Sequence, residues 1–388
     1  MLDQSADPSV VVTTSAVPRR VYFLSGFDPR GSSLYYRLFV EQLKAYGERT
    51  GRSLAVGRRR GQTDPLLSSW SVFEAGAPVL EVCFLHWDDL VRDHWPVNPW
   101  LVAWQTLRFA CWYLLQGGLV RILRLCPSVA LCGLYPLLFA VATGFALLAV
   151  AGLIQILLAP WLGGVWSGLL AVLAVLLLLR PCWRLAEQQG VVWLLRSILF
   201  THRLGQARDA ALRQRLHQLA HRILELEAHA PAPSVRLVGH SSGSFVMAML
   251  AAELRRQPQF TPSLLERVSL LSLGQNLANL AVHPRAVAFH EDLRCLAQPP
   301  RLPWRDITSH DDYLCFAGVD PYRSCGMVVE PPAYPQLELI RLAQRMELTS
   351  WWRLITHQFP LHFQYLHTAP VSLQGGFDYL ETLLGDPA

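Results

Sequence analysis

Five residues near the middle of the chain, Gly239-His240-Ser241-Ser242-Gly243, have the types and spacing that a nucleophilic hydroxyl needs. Val235, Leu237 and Val238 before them read as a short buried strand, and from Phe245 apolar side chains recur at helical spacing, so the five residues form the turn between. A serine in such a turn is held at a strained backbone angle with its hydroxyl projecting above the sheet, and the flanking glycines let neighbouring backbone pass. Ser241 is the candidate nucleophile. Its hydroxyl is weak at neutral pH, so it needs a base within hydrogen-bond reach and an acid that fixes the base's tautomer. Beyond Ser241 the chain offers Asp311 and Asp312 just past a strand-like segment, and Asp306 inside that segment, where a structural role is expected. His357, His362 and His367 all fall between the last expected strand and the closing helix. His362 is preferred as base because Phe363, Tyr365 and Leu366 supply apolar anchors beside its ring.

These groups lie far apart in sequence, so a sheet has to gather them. Residues 20–24 read as a strand, followed by the loop Ser25-Gly26-Phe27-Asp28-Pro29-Arg30-Gly31 and a helix over about 32–46. Residues 51–60 suggest an edge strand ending in Arg58-Arg59-Arg60, and 79–87 a further strand. That strand ends in His86-Trp87-Asp88-Asp89, a polar cluster kept outside the site for want of a geometric partner. Leu212, Leu216, Leu219, Ile223 and Leu226 trace one face of a helix that feeds the strand before Ser241. Strands over 267–273, 304–309 and 337–343 and a closing helix over 377–384 complete the alternation. The pattern predicts an α/β fold with a mostly parallel sheet and helices on both faces.

Composition adds a second component. The 388 residues can hold one α/β domain plus an insertion, and only 16% are charged against 52% hydrophobic, where soluble domains carry about 25% charge. No Asp, Glu, Lys or Arg lies between Arg124 and Arg180, an interval that spans roughly 80 Å as helix, enough for two crossings of a ~30 Å hydrocarbon layer. The expectation is a transmembrane hairpin with spans near 129–157 and 161–179, turning at Pro160 and Gly163-Gly164. A hairpin that dips in without crossing and a buried core hairpin are the alternatives. Trp100–Leu125 and Val191–Leu204 read as interfacial amphipathic helices, and Trp161, Trp166 and Trp183 fall where interfacial indoles are expected. Arg121 and Arg124 before the hairpin and Arg180 and Arg184 after it place both ends in the cytoplasm, at an inner or plasma membrane.

The divisions are a disordered lead-in over 1–19, a first part of the α/β domain over 20–99, a membrane insertion over 100–204, and a second part over 205–388. Met1 to Pro18 is polar, without a basic-then-apolar leader. The eight cysteines show no CxxC pair and read as reduced thiols, with no metal site and no cofactor expected. A formal net charge of +5, carried largely by arginine near the apolar segments, suits membrane lipids, and no aromatic-interleaved basic motif points to nucleic acid.

In its Gly-His-Ser-x-Gly form, the Ser241 turn resembles the nucleophile elbow of lipases and esterases in the α/β-hydrolase superfamily. The resemblance covers about 20–90 and 205 to the last residue. It implies catalytic groups in the order serine, acid, histidine, met here by Ser241, Asp312 and His362. It favours Asp312 over Asp311, since similar hydrolases set the acid a few residues past a strand and before an apolar run, here Tyr313-Leu314. It implies an oxyanion hole from the N–H of Ser242 and one in the loop after an early central strand, with Phe27 as the expected donor. The family often writes that loop His-Gly, where this chain has Ser25-Gly26. His240 is expected to be a packing residue. The implied activity is cleavage of a lipophilic ester or thioester through an acyl-enzyme on Ser241, with water as acceptor. Acyl transfer to another alcohol would use the same residues, and a non-catalytic membrane scaffold on the same fold is the reading from another class.

Overall fold

Side-chain alternation decides where the first strand sits. In β1 (Arg19–Leu24), Val21 and Phe23 enter one core while Tyr22 and Leu24 enter another, so this strand belongs inside a sheet covered on both faces. The structure, a computed structural model, describes residues 18–61, 64–95, 99–208, 210–331, 334–370 and 376–385. The expected lead-in thus lies outside the described residues over 1–17, and Arg19 already belongs to β1. The other strands are β2 (Leu54–Val56), β3 (Leu67–Glu74), β4 (Ala77–Leu85), β5 (Val235–His240), β6 (Val268–Leu273), β7 (Trp304–Thr308) and β8 (Gln336–Leu339). Their order is β2-β3-β4-β1-β5-β6-β7-β8, with β3 antiparallel to both neighbours and every other pairing parallel. The protein is α/β, with a mostly parallel eight-stranded sheet.

Helices close both faces. The helix Ser32–Thr50, through Tyr35, Phe39 and Leu43, and the closing helix Tyr379–Leu384, through Leu380 and Leu383, cover one. The helix Ala210–His229, through Leu216, Leu219 and Ile223, and the helix Gly243–Arg256, through Phe245 and Leu250, cover the other. Strands β1 and β5 pair directly although the whole insertion separates them in sequence, Arg20 lying opposite Val235. A buried carboxylate locks that junction: Glu227 accepts from Arg20 at 2.7 Å, from the Tyr22 hydroxyl at 3.0 Å and from Arg267 at 3.2 Å. Removing one partner would strand a buried charge, a loss of about 3–5 kcal/mol.

Three strands differ from expectation: the edge strand over 51–60 shrinks to Leu54–Val56, leaving Arg58 and Arg59 outside it and Arg60 in an isolated bridge to Ser69. Residues 67–74 are not picked out by sequence pattern, because Ser68, Ser69 and Ser71 dilute the strand signal of Trp70 and Val72; the hairpin turn Ala75-Gly76, with φ of 48° and 86°, pairs them with β4 regardless. The last strand stops at Leu339, short of the expected Ala343. There the Leu342 N–H donates to Ser309 Oγ and the Ala343 N–H to the Asp311 carboxylate, so side chains capture amides that a continuing ladder would use.

The charge-free interval lies within a helical segment from Pro127 to Gln188 that is not one rod. Gly163, with φ 77° and ψ 159°, breaks it into two arms, and the arms fold back together: Gln155 Nε2 donates to the Gly164 carbonyl at 3.3 Å, and Phe139 packs on Ala186, Val191 and Val192. Only glycine adopts that backbone geometry readily. Arms of about 54 and 38 Å follow from the helical rise. Their outer surface is apolar and uncovered, with Trp161 85%, Val165 76% and Ile156 73% exposed.

The segment expected as one interfacial helix over 100–125 is instead Pro99–Ala110, a wide π-type turn at Cys111–Leu115 and Gly118–Leu125. Phe109, Trp112, Tyr113 and Ile122 are buried with Ala278, Val282 and Phe316, so one face docks on the α/β body, while Leu107, Leu114, Leu115 and Leu123 stay exposed. The second expected interfacial helix, Val191–Leu204, is likewise drawn in through Leu199, Phe200 and Leu204.

Candidate functional site

Sheet geometry forces the bend at Ser241. Its N–H donates to the Leu273 carbonyl at 2.9 Å at the end of β6, while its own carbonyl accepts from Ser244 N–H at 3.0 Å and Ser244 Oγ at 2.6 Å. The residue between is left at φ 56°, a left-handed conformation that costs a non-glycine residue on the order of 1–3 kcal/mol. The glycines two before and two after are steric necessities. A Cβ on Gly239 would sit 2.5 Å from the Gly243 carbonyl oxygen, and one on Gly243 would sit 2.3 Å from the Leu24 carbonyl oxygen.

The acid and the histidine come from separate loops. Asp312 lies past β7, fully buried; its Oδ2 meets His362 Nδ1 at 2.6 Å and its Oδ1 accepts the Leu314 N–H at 2.9 Å. With Nδ1 donating to the carboxylate, the lone pair of the neutral imidazole lies on Nε2. That nitrogen is buried and has no partner among the described residues. Gln358, at the start of the short helix ending in His362, accepts the Tyr313 N–H at 2.6 Å and donates to the Asp311 carbonyl at 3.1 Å, tying acid loop to base. Ser241 Oγ accepts from Asn276 Nδ2 at 3.3 Å, and Ser241, Asn276 and His362 line one cleft. Serine–imidazole bonds are often long before substrate arrives.

The remaining candidates fall elsewhere. Asp311 turns to Ser309 and Ala343, His357 is spent on the Arg353 carbonyl at the surface, and His367 does not line the cleft. Asp306 is buried beneath the sheet end, bonded to Ser272 Oγ, and burial pushes its pKa up to about 8, leaving it neutral at pH 7. His240 donates from Nε2 to the His362 carbonyl at 3.0 Å; burial first, then the neighbouring His362, pushes its pKa down to about 3, so it props the base as an uncharged ring.

Ser242 and Phe27 also line the cleft, and neither amide N–H has an acceptor among the described residues. The Phe27 loop is held from two sides: Trp87 Nε1 donates to the Ser25 carbonyl at 3.1 Å and Trp193 Nε1 to the Phe27 carbonyl at 2.9 Å. The cleft encloses about 1030 Å³ including its open mouth. From Ser241 it runs along Phe109, Trp112, Tyr113 and Trp193 to Val129 at the root of the hairpin. Sequence reasoning missed Asn276 and this aromatic wall. The loop position after β6 was the available signal for Asn276, and the apolar face of 100–125 was the signal for the wall. Among the described residues no group of His, Cys, Asp and Glu is arranged to hold a metal.

No protein-family model matches this chain, and neither a curated protein nor a solved structure shows significant similarity to it.

Proposed function

We propose that the protein is a membrane-anchored serine hydrolase of the α/β-hydrolase type, cleaving an ester or thioester of a lipophilic acyl compound. The observation that carries this reading is the coincidence, in one cleft, of a serine at φ 56° with an imidazole whose Nδ1 is bound to a buried aspartate and whose Nε2 is open. His362 takes the Ser241 proton as the hydroxyl attacks the acyl carbon; the oxyanion is met by the N–H groups of Ser242 and Phe27; the protonated imidazole then gives its proton to the leaving group. Water, deprotonated by His362, releases the acid and restores Ser241. The aromatic path to the hairpin root supports an apolar acyl group.

The hairpin, apolar outside and charge-free along 55 residues, is the anchor, with arginines at both bases holding its ends in the cytoplasm. Two measurements test the reading. Full-length protein in neutral detergent is expected to hydrolyse p-nitrophenyl acyl esters with Ser241-dependent turnover, and absence of turnover from well-folded protein across chain lengths contradicts it. A reporter fused to the last residue is expected to behave as cytosolic, and alkaline phosphatase activity from that fusion contradicts the orientation.

A further inference from the structure

Beside the cleft lies a second cavity of about 1050 Å³ including its open mouth, and Trp112, His202 and His283 line both. The indole packs on both imidazoles, with ring centroids 4.8 Å from His202 and 4.9 Å from His283. The tautomers of these histidines follow from their partners. Gln206 Nε2 donates to His202 Nε2 at 2.8 Å, so the ring proton of His202 lies on Nδ1; the Arg285 backbone N–H donates to His283 Nδ1 at 3.3 Å, so the proton of His283 lies on Nε2. Both protonated nitrogens are buried without an acceptor among the described residues, on side chains only 9% and 3% exposed. Two buried donors without acceptors are costly unless a ligand supplies oxygens.

Charge points the same way. Arg108, Arg121 and Arg285 line the second cavity, and none of them forms an ion pair with a carboxylate among the described residues. Burial first, then Arg108, Arg208 and Arg285 for His202 and the neighbouring His202, Arg285 and Arg121 for His283, hold both rings down to about 4, so at neutral pH each offers a single N–H beside guanidinium charge. Three cations, two orphan donors and no fixed anion select an acceptor-only, negatively charged group, the chemistry of a phosphate ester. Arg108 and Arg121 sit on the segments that run into the hairpin at Pro127, and exposed Leu107 and Leu123 flank them in sequence, placing the cavity beside an apolar surface.

We propose that the substrate is a phosphate-bearing acyl lipid: its acyl ester lies in the aromatic cleft at Ser241, and its phosphate sits in the adjoining cavity beside Trp112, held by Arg108, Arg121 and Arg285 with the buried N–H groups of His202 and His283. This rests on the hydrolase reading for the cleavage step and on the second cavity for the phosphate.

The two are separable by measuring binding in full-length Ser241→Ala protein in neutral detergent, where turnover plays no part. The probes are octanoylglycerol phosphate, octanoylglycerol and inorganic phosphate. The phosphate-bearing amphiphile is expected to bind at least about tenfold more tightly than either of the others. Arg121→Gln and Arg285→Gln are each expected to weaken it several-fold, and Arg124→Gln, outside the cavity, to leave it unchanged. Equal affinity for both amphiphiles, equal weakening by Arg124→Gln, or inorganic phosphate binding as tightly as the lipid would overturn the proposal. Failure of the hydrolase reading shows separately, as loss of Ser241-dependent turnover with phosphate preference intact.

Discussion

Two Ser–His–Asp sets stand out among the described residues, and the better connected one is not the one proposed to be catalytic. At the ends of β3 and β4, Ser68 Oγ meets His86 Nε2 at 2.9 Å and His86 Nδ1 meets Asp88 at 3.0 Å, a complete relay. In the Ser241 set the carboxylate–imidazole link is shorter, 2.6 Å, but the serine is turned to Asn276 and the relay is open at its first step. Ser68 stands inside a strand, 1% exposed, with its hydroxyl already bonded, and the cleft does not reach it; Asp88 also pairs with Arg92. Ser241 stands at φ 56° on a forced bend and lines one cleft with an imidazole nitrogen and two amide donors that have no partner among the described residues, with room for a substrate. A chain of hydrogen bonds is a common way to satisfy buried polar groups. Strain, vacancy and access are what favour Ser241 as the proposed nucleophile.

Substitution can break this contrast at several levels. The largest effect is expected at the serines: Ser241→Ala should lower kcat for ester hydrolysis by about 10³-fold or more, and Ser68→Ala by less than about threefold. Parallel steady-state assays check this, and equal losses would erase the distinction. Next come the partners. Removal of the His362 ring or the Asp312 charge should each cost about 10²–10⁴-fold in kcat, while His86→Ala, His357→Ala and His367→Ala keep most activity. Loss in the His367 variant with retention in the His362 variant would move the base.

Stability should run the other way. Ser68→Ala leaves the His86 ring without its acceptor or donor and should cost about 1–2 kcal/mol in thermal or denaturant unfolding. Ser241→Gly relieves a left-handed serine and should gain up to about 1 kcal/mol. Matching signs for the two would mean that the bend stores no strain. The smallest effect is in pH. His240 is buried neutral with its pKa near 3, so below the ordinary imidazole value of about 6.5 the unfolded chain takes up a proton that the native state refuses. That contribution to stability is complete above about 6.5 and falls as pH drops toward about 3. His240→Gln should flatten the slope of stability against pH in that window, and an unchanged slope would assign the acid sensitivity to other groups.

What could be read from the residues follows from how locally each feature is encoded. Val235, Leu237 and Val238 followed by Gly-His-Ser-Ser-Gly specify strand, bend and helix within a dozen positions, and the structure places them so. Asp312 and His362, distant in sequence, do meet, because strand order left few loops in which an acid and a base could fall. Strand β3 escaped notice since its inward Trp70 and Val72 alternate with serines. The overshoot of β8 came from acceptors on Ser309 and Asp311, which no strand propensity contains. The helices around the hairpin show the deepest limit. Amphipathicity in 100–125 announces an apolar face but does not say what covers it, and here Phe109, Trp112 and Tyr113 turn inward to wall the cleft while Leu114 and Leu115 remain outside.

The most direct test of the central claim is covalent. Full-length protein treated with a fluorophosphonate probe, digested and mapped by mass spectrometry is expected to carry the phosphonyl group on Ser241 alone, with labelling abolished in Ser241→Ala and retained in Ser68→Ala. An adduct on Ser68, or folded protein that carries no adduct at all, would contradict the account.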